Sequence, residues 1–234
     1  MEIVGADAPK ADQIAKRHDR LLRRLRDVAE SNGHDPERLR VVAVTKGWPV
    51  EMAQAAIAAG LGMLGESRVQ EAEPKIAVLP GVEWHFIGRL QSNKARRAVR
   101  GFHVIHSVDS LELLDRLRQM AEEEGRSPRL LIQINVSGEA AKAGLTPDAV
   151  RAAADGCKEA AGIVGLMTMA PMGVDPGQAR AIFRALREIR DELEQALGSP
   201  LPELSMGMTA DAEAAAAEGA TLVRVGTGLF GPRP

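Results

Sequence analysis

Lys46 ends an apolar run, Leu39-Arg40-Val41-Val42-Ala43-Val44-Thr45. A run of this kind reads as a buried parallel strand, so the amine at its end is partly withdrawn from water. Desolvation lowers the amine's pKa toward the neutral nucleophile that imine formation requires. Of seven lysines it alone follows an unbroken apolar strand. The bland alternative is a strand-end lysine that snorkels to water. Near the other terminus lie two glycine-bearing segments, Leu204-Ser205-Met206-Gly207-Met208-Thr209 and Leu222-Val223-Arg224-Val225-Gly226-Thr227-Gly228. Each has the character of a strand running into a turn whose backbone N–H groups and hydroxyls accept a phosphate, with Ser205, Gly207, Met208, Gly226 and Thr227 as donors or walls. Read singly, such glycines only turn a strand into a helix. Together with Lys46 they suggest a phosphorylated aldehyde held as a lysine Schiff base, and hence pyridoxal 5′-phosphate.

Arg224 lies inside the apolar run Leu222–Val225. It is either half of an inward ion pair, with Glu66 or Asp211, or a permanent cation set against a pyridine nitrogen. In the second role it keeps that nitrogen unprotonated, which weakens the ring as an electron sink. His85, in Trp84-His85-Phe86-Ile87-Gly88, and Met167, in Gly165-Leu166-Met167-Thr168-Met169, are candidate cofactor walls; for Met167, and for a lone histidine, core packing is the competing account. Glu66, at the end of the second strand, is a further candidate wall. The five histidines show no metal-ligand spacing, and no metal is expected.

These residues need a scaffold that brings strand ends together. Apolar strand-like runs occur at 39–46, 62–66, 83–88, 103–108, 129–136, 162–169, 202–206 and 221–226. Helix-like segments separate them at 50–60, 67–79, 91–100, 110–125, 147–160, 176–197 and 210–218, and an amphipathic arginine-rich helix precedes them at 11–31. Eight strands alternating with helices predict a single (β/α)8 TIM barrel with an extra N-terminal helix, over 11–234, after a flexible N-terminus at 1–10. A doubly wound open sheet is the runner-up, although no Gly-x-Gly-x-x-Gly follows the first strand. In a barrel the strands' C-terminal ends carry the site, and the loops after strands seven and eight commonly hold phosphate.

At 234 residues and a net charge of −2, the chain has no long-range pull toward nucleic acid or anionic lipid. With no tyrosine, four phenylalanines and two tryptophans, it lacks a stacking surface for single strands. A lone Cys157 and the absence of an apolar stretch of spanning length point to a reducing cytoplasm and no membrane. A monomer is expected.

Val-Ala-Val-Thr-Lys46-Gly-Trp-Pro49, Gly65-Glu66-Ser67-Arg68-Val69-Gln70-Glu71, Trp84-His85-Phe86-Ile87-Gly88-Arg89-Leu90-Gln91-Ser92-Asn93-Lys94, Leu204–Met208 and Val223–Thr227 together resemble the pyridoxal phosphate homeostasis proteins. The resemblance covers roughly residues 12–231. It implies a barrel like the N-terminal domain of alanine racemase, with the cofactor covalent on Lys46 as an internal aldimine. It also implies Arg224 at the ring nitrogen, and Ser205, Gly207, Gly226 and Thr227 around the phosphate. It further implies buffering and delivery of the cofactor to apo-enzymes rather than catalysis. Ser67 departs from the family's usual asparagine, which puts its ring-side contact in question. A racemase needs a second base, usually a tyrosine from another domain. Here there are no tyrosines and only about eight residues follow the eighth strand, leaving His85 as the substitute. A Schiff-base sugar-phosphate aldolase is the other enzymatic alternative.

Overall fold

The computed structural model describes residues 10–139, 143–156 and 162–233. Lys142, Cys157, Lys158, nearly all of the N-terminal segment at 1–10 and the last residues of the 147–160 helix lie outside them. Eight parallel strands close into a ring in chain order: β1 (Arg40–Val44), β2 (Met63–Glu66), β3 (Glu83–Phe86), β4 (Val104–Val108), β5 (Arg129–Gln133), β6 (Ile163–Met167), β7 (Glu203–Met208) and β8 (Leu222–Val225). Pairing of β1 with β8, Arg40 opposite Leu222 through Ala43 opposite Val225, seals the barrel. The TIM barrel is therefore the fold, and the open sheet is excluded.

Around the ring run α1 (Ala11–Ser31), α2 (Val50–Ala58), α3 (Val69–Val78), α4 (Ala95–Gly101), α5 (Leu111–Glu123), α6 (Pro147–Gly156), α7 (Pro176–Leu197), α8 (Ala212–Ala216) and a short α9 (Thr227–Phe230). Local chemistry sets their ends. Asp175 caps α7 through a reciprocal capping box with Gln178, Pro176 occupies the first turn, and Gly198 at φ 59° stops the helix. Along α7 the buried face carries Ala179, Phe183, Leu186, Ile189 and Leu193, each large side chain contributing about 1.5–3 kcal/mol. The arginines of α1 serve the surface and the seam. Arg24 pairs with Glu213, Arg26 with Glu37, and Arg17 donates to the Leu229 carbonyl at 2.8 Å.

The main core lies between ring and helices, and a second small cluster, Val42, Val104, Leu131, Met167 and Leu222, fills the ring's interior. Met167, expected as a cofactor wall or a core residue, packs in this cluster and is 1 % exposed. The interior continues as polar layers. Arg40 donates to Glu203 at 2.6 and 2.7 Å, and Arg129 to Glu83 at 2.7 Å, at the N-terminal ends of their strands.

Candidate functional site

Lys46 sits two residues past β1, in the turn Thr45-Lys46-Gly47, and is half-buried. Gly47 takes φ 72°, a left-handed conformation that bends the chain away after the lysine. Among the described residues the Lys46 amine forms no ion pair or hydrogen bond. Burial lowers its pKa, with the positive fields of Arg233 and Arg224 acting the same way and Glu66 opposing them. The residues around Lys46 therefore favour a free amine.

A second lysine, within the helical segment expected at 67–79, lies beside it. Lys75 of α3 is 5 % exposed; its Nζ donates to Glu66 Oε1 at 2.6 Å and to the carbonyl of Thr45 at 2.9 Å. Glu66 also accepts from the Thr45 hydroxyl at 2.8 Å, while its Oε2 is buried without a partner. Burial pushes the Glu66 carboxyl up, against the hydrogen bond from Lys75. Glu66 thus belongs to Lys75 and not to Arg224, as the ion-pair alternative had it.

Arg224 is 4 % exposed. Its Nη2 donates to the carbonyl of Thr168 at 3.0 Å and its Nη1 to the Ser205 hydroxyl. Among the described residues no carboxylate lies within ion-pair distance of it. Burial draws the guanidinium down to about 10, offset by the field of Asp211, so it stays cationic at neutral pH. A buried cation without an anion of its own is a costly arrangement unless something else supplies the charge.

Ser205 and His85, expected at the phosphate and the cofactor wall, are drawn inward. The Ser205 hydroxyl is fully buried and meets His106 Nδ1 at 2.7 Å as well as Arg224. His106 Nε2 meets His85 Nδ1 at 2.8 Å, and His85 Nε2 meets Glu83 Oε1 at 2.8 Å. Both ring nitrogens of His85 are committed. The hydroxyl that stands beside Thr227 is that of Thr209, with 3.3 Å between the two Oγ1 atoms, and Thr209 also accepts from the Gly228 N–H at 3.4 Å. Thr209 was not singled out from the sequence, although it directly follows the strand-seven glycine segment.

Gly207 and Gly226 keep their expected places at the strand ends, but Gly207 lies within β7 and not after it. Between Ser205 opposite Leu222 and Met208 opposite Arg224 the register slips by one residue, a bulge with Gly207 at φ 85°. A Cβ there would stand 2.5 Å from that of Ala215. Met208 is 36 % exposed, and its N–H is taken by Asp211 at 2.5 Å. Thr227 opens α9, whose Leu229 and Phe230 N–H groups donate to the Gly226 carbonyl at 3.0 and 2.9 Å. The two threonine hydroxyls and the glycine backbone at this turn suit an anion with several oxygens.

Ser67 lies across from Gly88, whose hypothetical Cβ would fall 2.1 Å from the Ser67 carbonyl oxygen. This accounts for the glycine in Phe-Ile-Gly. The loop after Gly88 lines a cleft of about 1070 Å³ that includes Ser67, Arg68, Arg89, Lys94 and Gly144, and neither Lys46 nor Arg224. Among the described residues there is no group of three or more His, Cys, Asp or Glu side chains that could hold a metal, and no helix is long and apolar enough to cross a membrane.

Residues 18–234 match the family described as alanine racemase, N-terminal domain. A protein of Synechocystis named pyridoxal phosphate homeostasis protein is 42 % identical over 203 residues, covering 85 % of this chain and 93 % of its own. One of Aquifex aeolicus with the same name is 38 % identical over 222 residues, covering 93 % and 97 %. The solved structure of PipY from Synechococcus elongatus with pyridoxal phosphate bound is 42 % identical, with a TM-score of 0.78 over 90 % of this chain and all of that one. An alanine racemase of Clostridium difficile, 17 % identical with a TM-score of 0.72, shares the fold.

Proposed function

The chain belongs to the pyridoxal phosphate homeostasis protein family, and we propose that it binds pyridoxal 5′-phosphate covalently through Lys46 and holds it without turning over a substrate. The observation that carries this reading is Arg224, a buried guanidinium with no carboxylate partner, facing the same strand ends as a half-buried free amine. Bound, the cofactor supplies an aldehyde carbon that the amine joins with loss of water, an aromatic ring and a phosphate dianion. Lys46 provides the amine and the depressed pKa that makes it a nucleophile. Thr209, Thr227, Gly207 and the backbone at Gly226–Gly228 are suited to hold the phosphate. Arg224 orients the ring and keeps its nitrogen from taking a proton. That the relative PipY binds pyridoxal phosphate supports binding of the same cofactor here.

Within these 234 residues the racemase alternative finds no second base. There is no tyrosine in the sequence, and His85 has both nitrogens bound inside the barrel, where burial lowers its pKa. A carrier or buffer of the cofactor, working as a cytoplasmic monomer that passes it to apo-enzymes, is the reading consistent with this inventory. Incubation with pyridoxal phosphate, borohydride reduction and peptide mapping test it. Label on Lys46, lost in Lys46→Ala with the fold intact, is the expected result. Label retained elsewhere in that variant refutes the lysine assignment. Arg224→Leu separates this site from a sugar-phosphate aldolase: the cofactor site loses affinity and shifts its absorption, while an aldolase does not depend on that arginine.

A further inference from the structure

The hydrogen bonds below Arg224 have a direction that can be worked out from one end. A carboxylate only accepts, so at 2.8 Å from Glu83 Oε1 the hydrogen lies on His85 Nε2. Glu83 is ionised: the hydrogen bond from His85, helped by Arg129, holds its carboxyl down to about 2. His85 is buried and its pKa is lowered, so it is neutral and its Nδ1 is an acceptor. The hydrogen in the 2.8 Å contact between the rings therefore sits on His106 Nε2. His106 is wholly buried, its pKa well below the ordinary value, which makes its Nδ1 an acceptor in turn. Ser205 then donates to it at 2.7 Å and receives a hydrogen from Arg224 Nη1. Every hydrogen points from the guanidinium toward the carboxylate.

The path is also a crossing. Ser205 is on β7 and His106 on β4, strands that are not neighbours in the ring, so their bond spans the lumen. The far end, Glu83, opens β3 and lies beside a cavity of about 570 Å³ lined by His103, Arg126 and Arg129 at the floor.

We propose that Ser205, His106, His85 and Glu83 are positioning residues for Arg224, a one-way hydrogen-bond chain that fixes the guanidinium against the cofactor from the opposite end of the barrel. Arg224 has no carboxylate at contact distance; Glu83 serves it at the remove of three side chains. Reversal of the chain is blocked because Glu83 has no hydrogen to give. The ring-proton assignment stands independently, and its bearing on the cofactor rests on the reading of the site given above.

The test uses protein labelled with ¹⁵N-histidine and long-range ¹H–¹⁵N spectra, with and without pyridoxal phosphate. His85 and His106 are expected neutral with the proton on Nε2 in both samples. Glu83→Gln can donate as well as accept at the floor, so the Nδ1–H form of both rings becomes populated beside the Nε2–H form and the absorption maximum of bound cofactor moves while Lys46 still takes the label. Ser205→Ala removes the link to Arg224 and weakens pyridoxal phosphate binding about tenfold, the scale of one buried hydrogen bond. An Nδ1–H or doubly protonated ring in the unmodified protein overturns the chain. Tautomers as assigned, but an absorption maximum unmoved in Glu83→Gln, overturn its positioning role. The spectra without cofactor report the ring protons alone, so a protein that takes up no pyridoxal phosphate fails the reading of the site, a failure distinguishable from that of the chain.

Discussion

Replacing Lys75 by methionine is the most informative perturbation of the site's support. The change keeps most of the stem and removes the amine that holds Glu66 at 2.6 Å and the Thr45 carbonyl at 2.9 Å. Glu66 is fully buried and its Oε2 is already without a partner, so the variant leaves a buried carboxylate with the Thr45 hydroxyl alone. Breaking one side of a buried pair costs about 3–5 kcal/mol. For a domain of this size that is a fall in Tm of roughly 6–20 °C, at about 2–4 °C per kcal/mol. Glu66→Gln in the same background removes the stranded charge and keeps an acceptor for Thr45, so the double variant should recover about 2–3 kcal/mol of the loss. The deficit also has a pH signature. In Lys75→Met the Glu66 carboxyl, already raised by burial, loses the partner that opposed the rise. Its neutral form is the one the fold tolerates, so the deficit is small in acid. It grows as pH climbs from the ordinary 4.5 through the raised folded value, and then levels. Thermal unfolding of the single and double variants at mildly acidic and mildly alkaline pH measures this. A Lys75→Met Tm within about 2 °C of the parent, or a double variant no more stable than the single, refutes the reasoning.

Further predictions follow from the cradle and the amine. Gly207→Ala places a side chain at φ 85° and 2.5 Å from Ala215, and should cost about 2–4 kcal/mol in urea unfolding while weakening the binding of inorganic phosphate; an unchanged midpoint would contradict the bulge geometry. The rate at which pyridoxal phosphate labels Lys46 should rise with pH about a midpoint below 10.5, because the folded protein favours the neutral amine. Arg233→Ala removes one of the two cations nearest in effect and should move that midpoint upward; a parent midpoint at or above 10.5 would sink the desolvation argument.

The eight strands were legible because a parallel strand covered on both faces is an apolar run, and each run here is bounded by a turn signal. The two long helices, 11–31 and 176–197, were read to the residue, since amphipathic period and end signals agree there. What pairs across the lumen was not legible, because sequence separation carries no record of it: Ser205 and His106 lie 99 residues apart. Yet His106 bears the mark that singled out Arg224, a polar residue inside an apolar run, Val104-Ile105-His106-Ser107-Val108. Lys75 escaped notice because a helical pattern shows which face is apolar, not whether a charged residue at its margin reaches a buried carboxylate. In the sequence the Gly207 bulge is indistinguishable from a turn, because one glycine serves both geometries.

The sealing of the ring has a kinetic consequence. Pairing of β1 with β8 joins residues some 180 positions apart in the chain, and contacts of that separation carry the largest loop-closure cost and form late. Lys46 follows one of these two strands and the Gly226–Gly228 turn follows the other, with Trp48 and Phe230 in edge contact beside them at 6.3 Å. A ligand grasped by both therefore spans the joint that the chain completes last. It acts as a clasp: it can be gripped only after closure, it slows reopening, and each molecule released returns the joint to its unfastened strength.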